Sequence, residues 1–307
     1  MTTDSTVTTA ATVSRRRRWR DAPLALALLT PSLVILGAFV LYPLARAFWL
    51  GHQRCDPTGA NCRSNGWDQY VDVFRSEEFQ QALGVTVRFS LLTVPVGLAL
   101  GVALAVLADK QIRGMSLFRT VFSSTVVTSV AVASLMWFFL LNPSVGVLAE
   151  WIGGVAKTPG LLRDEGTALW AVAISSIWAN LGFTFIVVTA GLQSIPADLY
   201  ESAYVDGAGG WMRFSNVTIP MLGPTLLFVG VVLTSRAFQS YGEFDLLTGG
   251  GPNGSTTSLT YLVYGNNSVI KSNSGLQAAV AVLLFGVLLA LSVLQIRGVE
   301  RRVHYGD

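Results

Sequence analysis

Six stretches of this chain, roughly 24–49, 84–108, 118–141, 168–192, 222–241 and 276–296, are long runs of apolar residues. A bilayer's hydrocarbon core, ~30 Å thick, is crossed by about 20 apolar residues in helix. No other property of the chain narrows its fold as much. The runs do not alternate apolar and polar residues as the strands of a membrane β-barrel would. A helix also satisfies every backbone N–H and C=O internally where no water is present. The expectation is an all-α membrane protein with six transmembrane helices. Composition agrees, with 51% of the 307 residues apolar and 13% charged, against about 25% charged in soluble domains.

Lys and Arg orient the runs. With the N-terminus inside, cytosolic segments hold twelve of them (Arg15, Arg16, Arg17, Arg18, Arg20, Lys110, Arg113, Arg119, Arg213, Arg297, Arg301 and Arg302). Outer loops hold six (Arg54, Arg63, Arg75, Lys157, Arg163 and Lys271). Cytosolic loops carry the excess, so both termini are expected in the cytosol. Residues 1–21 read as a disordered basic tail, 22–300 as one membrane domain with a cytosolic loop at 195–220, and 301–307 as a cytosolic tail. The first apolar run exceeds the 7–15 residues of a secretory h-region. The arginine run lacks aromatic and polar base-reading neighbours, so nucleic acid is not an expected partner.

Several chemistries have no constellation to carry them. There are two histidines, His52 and His304, and no HExxH, CxxC, nucleophile-elbow or Walker A pattern, so neither metal nor acyl-transfer catalysis has candidate residues. Leu246 to Pro252 contains Gly249-Gly250-Gly251. That run cannot stay helical and predicts a tight reversal; without a following Gly-Lys-Ser/Thr it is not a phosphate cradle. Cys55 and Cys62 flank Asp56-Pro57-Thr58-Gly59, a turn sequence. A disulfide in an oxidising outer loop and two free thiols both fit that spacing.

Polar groups inside apolar runs are the candidates for a solute path, because intramembrane ionisable groups face a cavity or a partner. Arg236, Gln239 and Glu243 share a helical face, with Tyr241 and Asp245 close by. Arg236 could meet an anionic solute. It could equally pair with Glu243 or Asp245 at the outer interface, or with a neighbouring subunit. Asn180, beside Trp178, suits a helix–helix hydrogen bond. Gly97 and Gly101 form a small-residue face for close packing, and Pro95 predicts a kink.

One polar stretch between apolar runs has a docking element's composition: Glu201-Ser202-Ala203-Tyr204-Val205-Asp206-Gly207, closing at Ile219-Pro220. It predicts a short helix, a glycine turn (Gly207, Gly209, Gly210), a second short helix and a proline stop. The segment resembles the EAA loop of ABC-importer permeases. That family's pattern is Glu-Ala-Ala, three residues, Gly, nine residues, then Ile-x-Leu-Pro. Here Glu201-Ser202-Ala203, Gly207 and Val217-Thr218-Ile219-Pro220 keep the spacing.

Asn142-Pro143-Ser144-Val145-Gly146, Gly191-Leu192-Gln193-Ser194-Ile195-Pro196 and Leu247-Thr248-Gly249-Gly250-Gly251-Pro252 resemble the carbohydrate, maltose-system branch. Together with the tail Val299 to Tyr305, the match looks most like the A-type permeases of glycerol-3-phosphate (Ugp) uptake systems. The resemblance implies a type I ABC importer permease fold in a bacterial plasma membrane. Its implied partners are a second permease, two ATPase subunits, an extracytoplasmic solute-binding protein and membrane lipid. ATP and Mg²⁺ would be held by the ATPases, so this chain would carry no cofactor and no catalysis of its own. Docking on the ATPase falls to Glu201, Ser202, Ala203, Asp206, Gly207 and Pro220. The solute would be glycerol-3-phosphate, a glycerophosphodiester or a sugar. The competing reading is an ATPase-independent six-helix channel or secondary transporter, which would want a charged or carbonyl-lined pore where only Arg236 is well placed.

Overall fold

The computed structural model describes residues 22–55, 62–109, 113–142, 146, 160–266, 270 and 273–300. The tails 1–21 and 301–307 and most of the loop 142–167, where the sequence predicts a short helix, lie outside the described residues. The chain divides into two units, Met1–Trp49 and Leu50–Asp307. In the first, α1 (Ala22–Leu36) passes through Pro31, takes one π-helical turn at Gly37–Leu41 and continues as α2 (Tyr42–Leu50). Its large apolar side chains, from Leu24 to Trp49, are exposed, as suits a surface that lipid covers.

The second unit opens with a hairpin of β1 (Gln53–Cys55) and β2 (Cys62–Ser64), with Cys55 opposite Cys62. The two cysteines are joined as a disulfide, which decides between the bridge and the free thiols. After α3 (Asp68–Arg75), Ser76 caps α4 (Glu77–Ala108) by accepting from the Phe79 N–H, with Glu77 and Glu78 in the first turn. Acidic residues there complement the helix dipole, so α4 begins seven residues before its apolar run does. It continues unbroken through Pro95. On its small face a Cβ at Gly101 would overlap Thr184 of α7 (Ala168–Gln193), so the predicted close approach occurs there, whereas a Cβ at Gly97 would meet only Leu233 Cδ1 at 4.0 Å.

Two of the six expected spans are not single straight helices. Residues 118–141 divide into α5 (Met115–Ser124) with a 3₁₀ turn at Thr125–Val127, and α6 (Val130–Leu141), bent by 105°. The break falls where Ser129 leaves helical conformation and caps α6 through the Val132 N–H. The fifth span is α11 (Gly223–Gln239), which a 66° bend separates from the helical segment Gly210–Met221 before it. Beyond Gln239 the chain breaks at Ser240 and starts a new helix, α12 (Gly242–Leu247). Four continuous apolar helices and two bent pairs therefore supply the six spans.

The glycine run reverses the chain as expected, with positive φ at Gly249 and Gly250. It is followed by α13 (Leu259–Tyr264), a helix the apolar pattern does not announce, and then by α14 (Ser274–Glu300). The segment carrying α13 is tied down. Thr86 on α4 accepts from the Leu259 N–H at 2.9 Å, and Thr260 donates to the Phe238 carbonyl at 2.7 Å. The second bond satisfies one of the carbonyls left open at the end of α11.

Candidate functional site

The docking segment begins with α8 (Ala197–Val205), where Glu201, Ser202 and Ala203 lie in the middle of the helix. Asp206 caps it, and Gly207 follows at φ 78°. L-residues with a Cβ enter that left-handed region at a cost of ~1–2 kcal/mol. A second helical segment runs from α9 (Gly210–Arg213) through a π-helical turn, Phe214–Thr218, into α10 (Ile219–Met221). Pro220 is therefore not the stop that the sequence suggests. It follows the π turn, in which the Ile219 N–H reaches back to the Phe214 carbonyl. Where a π turn has already shifted the ladder, a missing proline N–H is tolerated. The helix breaks two residues later, at Leu222.

The surface of this segment is apolar and uncovered. Val205 is 84% exposed, Trp211 78% and Tyr204 70%. Glu201, Ser202, Asp206, Gly207 and Pro220 are exposed and Ala203 is half-buried. A Cβ on Gly207, Gly209 or Gly210 would meet nothing within 4 Å in this chain, so the turn is open on its outer side. Internal bonds hold the shape. The Ala208 N–H donates to the Ala203 carbonyl at 2.9 Å, Ser202 donates to the Leu199 carbonyl at 3.1 Å, and the Arg213 guanidinium lies 5.7 Å from the Tyr204 ring. At its base Tyr200, Phe214 and Ile219 pack onto the cluster of Val102, Ala105, Phe185, Val188, Leu222 and Val229. The docking segment is thus rooted in α4, α7 and α11 together.

Asn180, Arg236, Gln239, Tyr241 and Glu243 all line one cavity of about 680 Å³, with Ser129 and Ser176. The sequence named the first five as a solute path, and the fold brings them together from α7, α11 and α12. Arg236 has a different partner from the carboxylates the sequence offered. Its Nη1 donates to Asn180 Oδ1 at 2.9 Å, and its guanidinium carbon lies 4.4 Å from the Phe183 ring centroid. Asn180 in turn donates through Nδ2 to the Ser176 carbonyl at 2.9 Å. The helix–helix bond expected of Asn180 is therefore this one, between α7 and α11.

Glu243 is 5% exposed and accepts from the Ser240 hydroxyl. The sequence left it open whether Glu243 joins the solute path or sits at the outer interface; after the chain break at Ser240, α12 packs on α6 and α7 and Glu243 lines the cavity. Sequence reasoning did not find Phe183, Ser129 or Ser176 here, nor Trp211 on the docking surface. A tryptophan beside two glycines in a polar loop was the signal available for Trp211. Among the described residues no cluster of His, Cys, Asp and Glu has metal-holding geometry.

Residues 94–305 match the family described as "Binding-protein-dependent transport system inner membrane component". The chain belongs to this family. The match takes in both the docking segment and the cavity. Among curated members, the sn-glycerol-3-phosphate transport system permease protein UgpA of Agrobacterium fabrum is 36% identical over 282 residues, covering 91% of this chain and 95% of its own. The protein of that name from Yersinia enterocolitica is 33% identical, covering 91% and 94%. A chain from the crystal structure of a bacterial alginate ABC transporter, in complex with alginate pentasaccharide-bound periplasmic protein, superposes with a TM-score of 0.78 at 22% identity. The superposition covers 95% of this chain and 99% of that one. The fold is that of type I ABC importer permeases, and the chain is a multi-pass, inner-membrane permease subunit of this class of importer.

Proposed function

We propose that the chain moves a carbohydrate-class solute, glycerol-3-phosphate, a glycerophosphodiester or a sugar, by alternating access, powered by separate ATPase subunits that seat on residues 195–220. Both termini lie in the cytosol, a second similar permease completes the pathway, and a binding protein delivers the solute. The chain itself makes and breaks no bond, and ATP and Mg²⁺ stay on the ATPases. The observation that carries this reading is the exposed apolar turn formed by Tyr204, Val205 and Trp211, whose base is packed on α4, α7 and α11. Force on such a turn reaches three spans at once, which suits rigid-body gating.

Glu201 supplies a charge for pairing with a basic residue of the ATPase. Replacing it with Ala is expected to lower ATP-driven uptake about tenfold, the effect of losing one charge-assisted hydrogen bond. The measurement is uptake by proteoliposomes holding the full transporter. ATP-independent uptake by this chain alone would instead support a channel or secondary transporter.

A further inference from the structure

The cavity beside α11 is chemically lopsided. Arg236 is exposed to it, while Glu243 is buried in its wall with its carboxylate taken up by the Ser240 hydroxyl. A guanidinium carries five N–H donors in a planar fork. Among the described residues one of Arg236's donors is engaged, by Asn180 Oδ1. Asn180 is itself fixed by its bond to the Ser176 carbonyl, and the Phe183 ring supports the guanidinium from one side. The cation is therefore braced by neutral groups rather than neutralised by a carboxylate. An arginine held in this way keeps its charge and most of its fork available for an oxyanion, which it binds through paired N–H···O contacts. Elsewhere in the wall, beside apolar Val126, Val130 and Leu246, the residues Ser129, Gln239 and Tyr241 offer hydroxyls and an amide that suit a polyol.

We infer that Arg236 is the anion subsite of the transport path. It receives the phosphate of a small phosphorylated polyol, while Asn180 and Phe183 act as positioning residues that hold its fork toward the cavity. This rests on the proposed transport function and narrows its solute class from carbohydrates in general to phosphate esters.

The test uses the complete transporter in proteoliposomes, with purified binding protein in excess so that solute capture does not limit the rate. Glycerol-3-phosphate, a glycerophosphodiester and a neutral disaccharide are the probes. With Arg236→Gln, the apparent KM for glycerol-3-phosphate is expected to rise about tenfold or more, as for loss of charge-assisted hydrogen bonds. Arg236→Lys should recover part of the loss, since it keeps the charge but not the fork. Asn180→Ala should shift KM in the same direction by about threefold, since it loosens the fork without removing the charge that binds the anion.

An unchanged KM in Arg236→Gln, or a fall in maximal rate alone, overturns the subsite and leaves the transport function standing. A wild-type transporter that imports only the neutral disaccharide overturns the subsite and the phosphate-ester branch of the proposed function. Should Arg236→Gln fail to co-purify with the ATPase subunits, Arg236→Lys and Asn180→Ala decide the matter. Unchanged KM in both counts against the proposal, and raised KM in both supports it.

Discussion

The docking turn and the cavity are built on opposite plans. Around Gly207 the side chains point away from the fold, and Val205 and Trp211 have no covering surface in their own chain. Around Arg236 three polar groups are held by neighbours: the arginine by Asn180, Asn180 by Ser176, and Glu243 by Ser240. The first region keeps its backbone shape and leaves its surface to be completed from outside. The second is organised before any ligand arrives, so a ligand meets groups whose ordering cost has already been met in folding. An uncovered apolar turn is expensive to leave in water, whereas a braced arginine loses little by waiting. On the proposed function, the two plans suit a lasting partner at one place and a transient solute at the other.

Substitutions at the turn should act on maximal rate, unlike the KM effect expected at Arg236. The largest effect is expected from Gly207→Pro, because proline fixes φ near −65° where the chain needs 78°. Displacing a positioning element by as little as 1 Å can cost about a hundredfold in rate, and uptake should fall by that order while the spans still insert. Protease protection of the loops would check insertion, and normal uptake by this variant would erase the contrast between the regions.

Trp211→Ala should come next. A buried interface tryptophan contributes ~2 kcal/mol or more, so ATPase affinity should weaken by roughly thirtyfold, as read by titrating ATPase subunits onto the permease in nanodiscs. Unaltered affinity would mean that the exposed ring is not part of the docking surface. The smallest functional effect is expected from replacing Cys55 and Cys62 by Ser. That removes ~2–3 kcal/mol of stabilisation from the hairpin by the chain-entropy account for so short a loop, which a thermal melt would register. Uptake should change little, since the hairpin contributes to neither region.

Much of this architecture was legible in the apolar runs, and the exceptions have physical causes. Length and composition find α4, α7 and α14 because each is one helix with one apolar run. They do not find the break at Ser129, since apolar residues continue across it, and at Ser240, where the apolar run ends, they do not announce the helix α12 that follows. What breaks the helix is a serine that caps α6 in one place, and in the other a carbonyl at Phe238 satisfied from Thr260. The proline at 220 misled for a related reason, because the π turn before it removes the conflict that would have ended the helix.

At the sites, the spacing from Glu201 to Gly207 located the docking turn. It could not say which apolar neighbours stay uncovered. Arg236 stood out as a charge in an apolar run, yet its partner lies 56 residues away. Helical spacing offers only local candidates, so it points to Glu243 and Asp245 and not to Asn180.

The hydrogen bonds of the docking turn close on themselves. Its polar contacts run between residues 196 and 218, including Tyr200 to Thr218 at 3.1 Å, while a seam of Tyr200, Phe214 and Ile219 joins it to the spans. A segment of this kind is a cassette. On the proposed function, exchanging residues 201–213 for those of another permease, with Tyr200, Phe214 and Ile219 kept, is expected to make the chain answer to a different motor while carrying the same cargo.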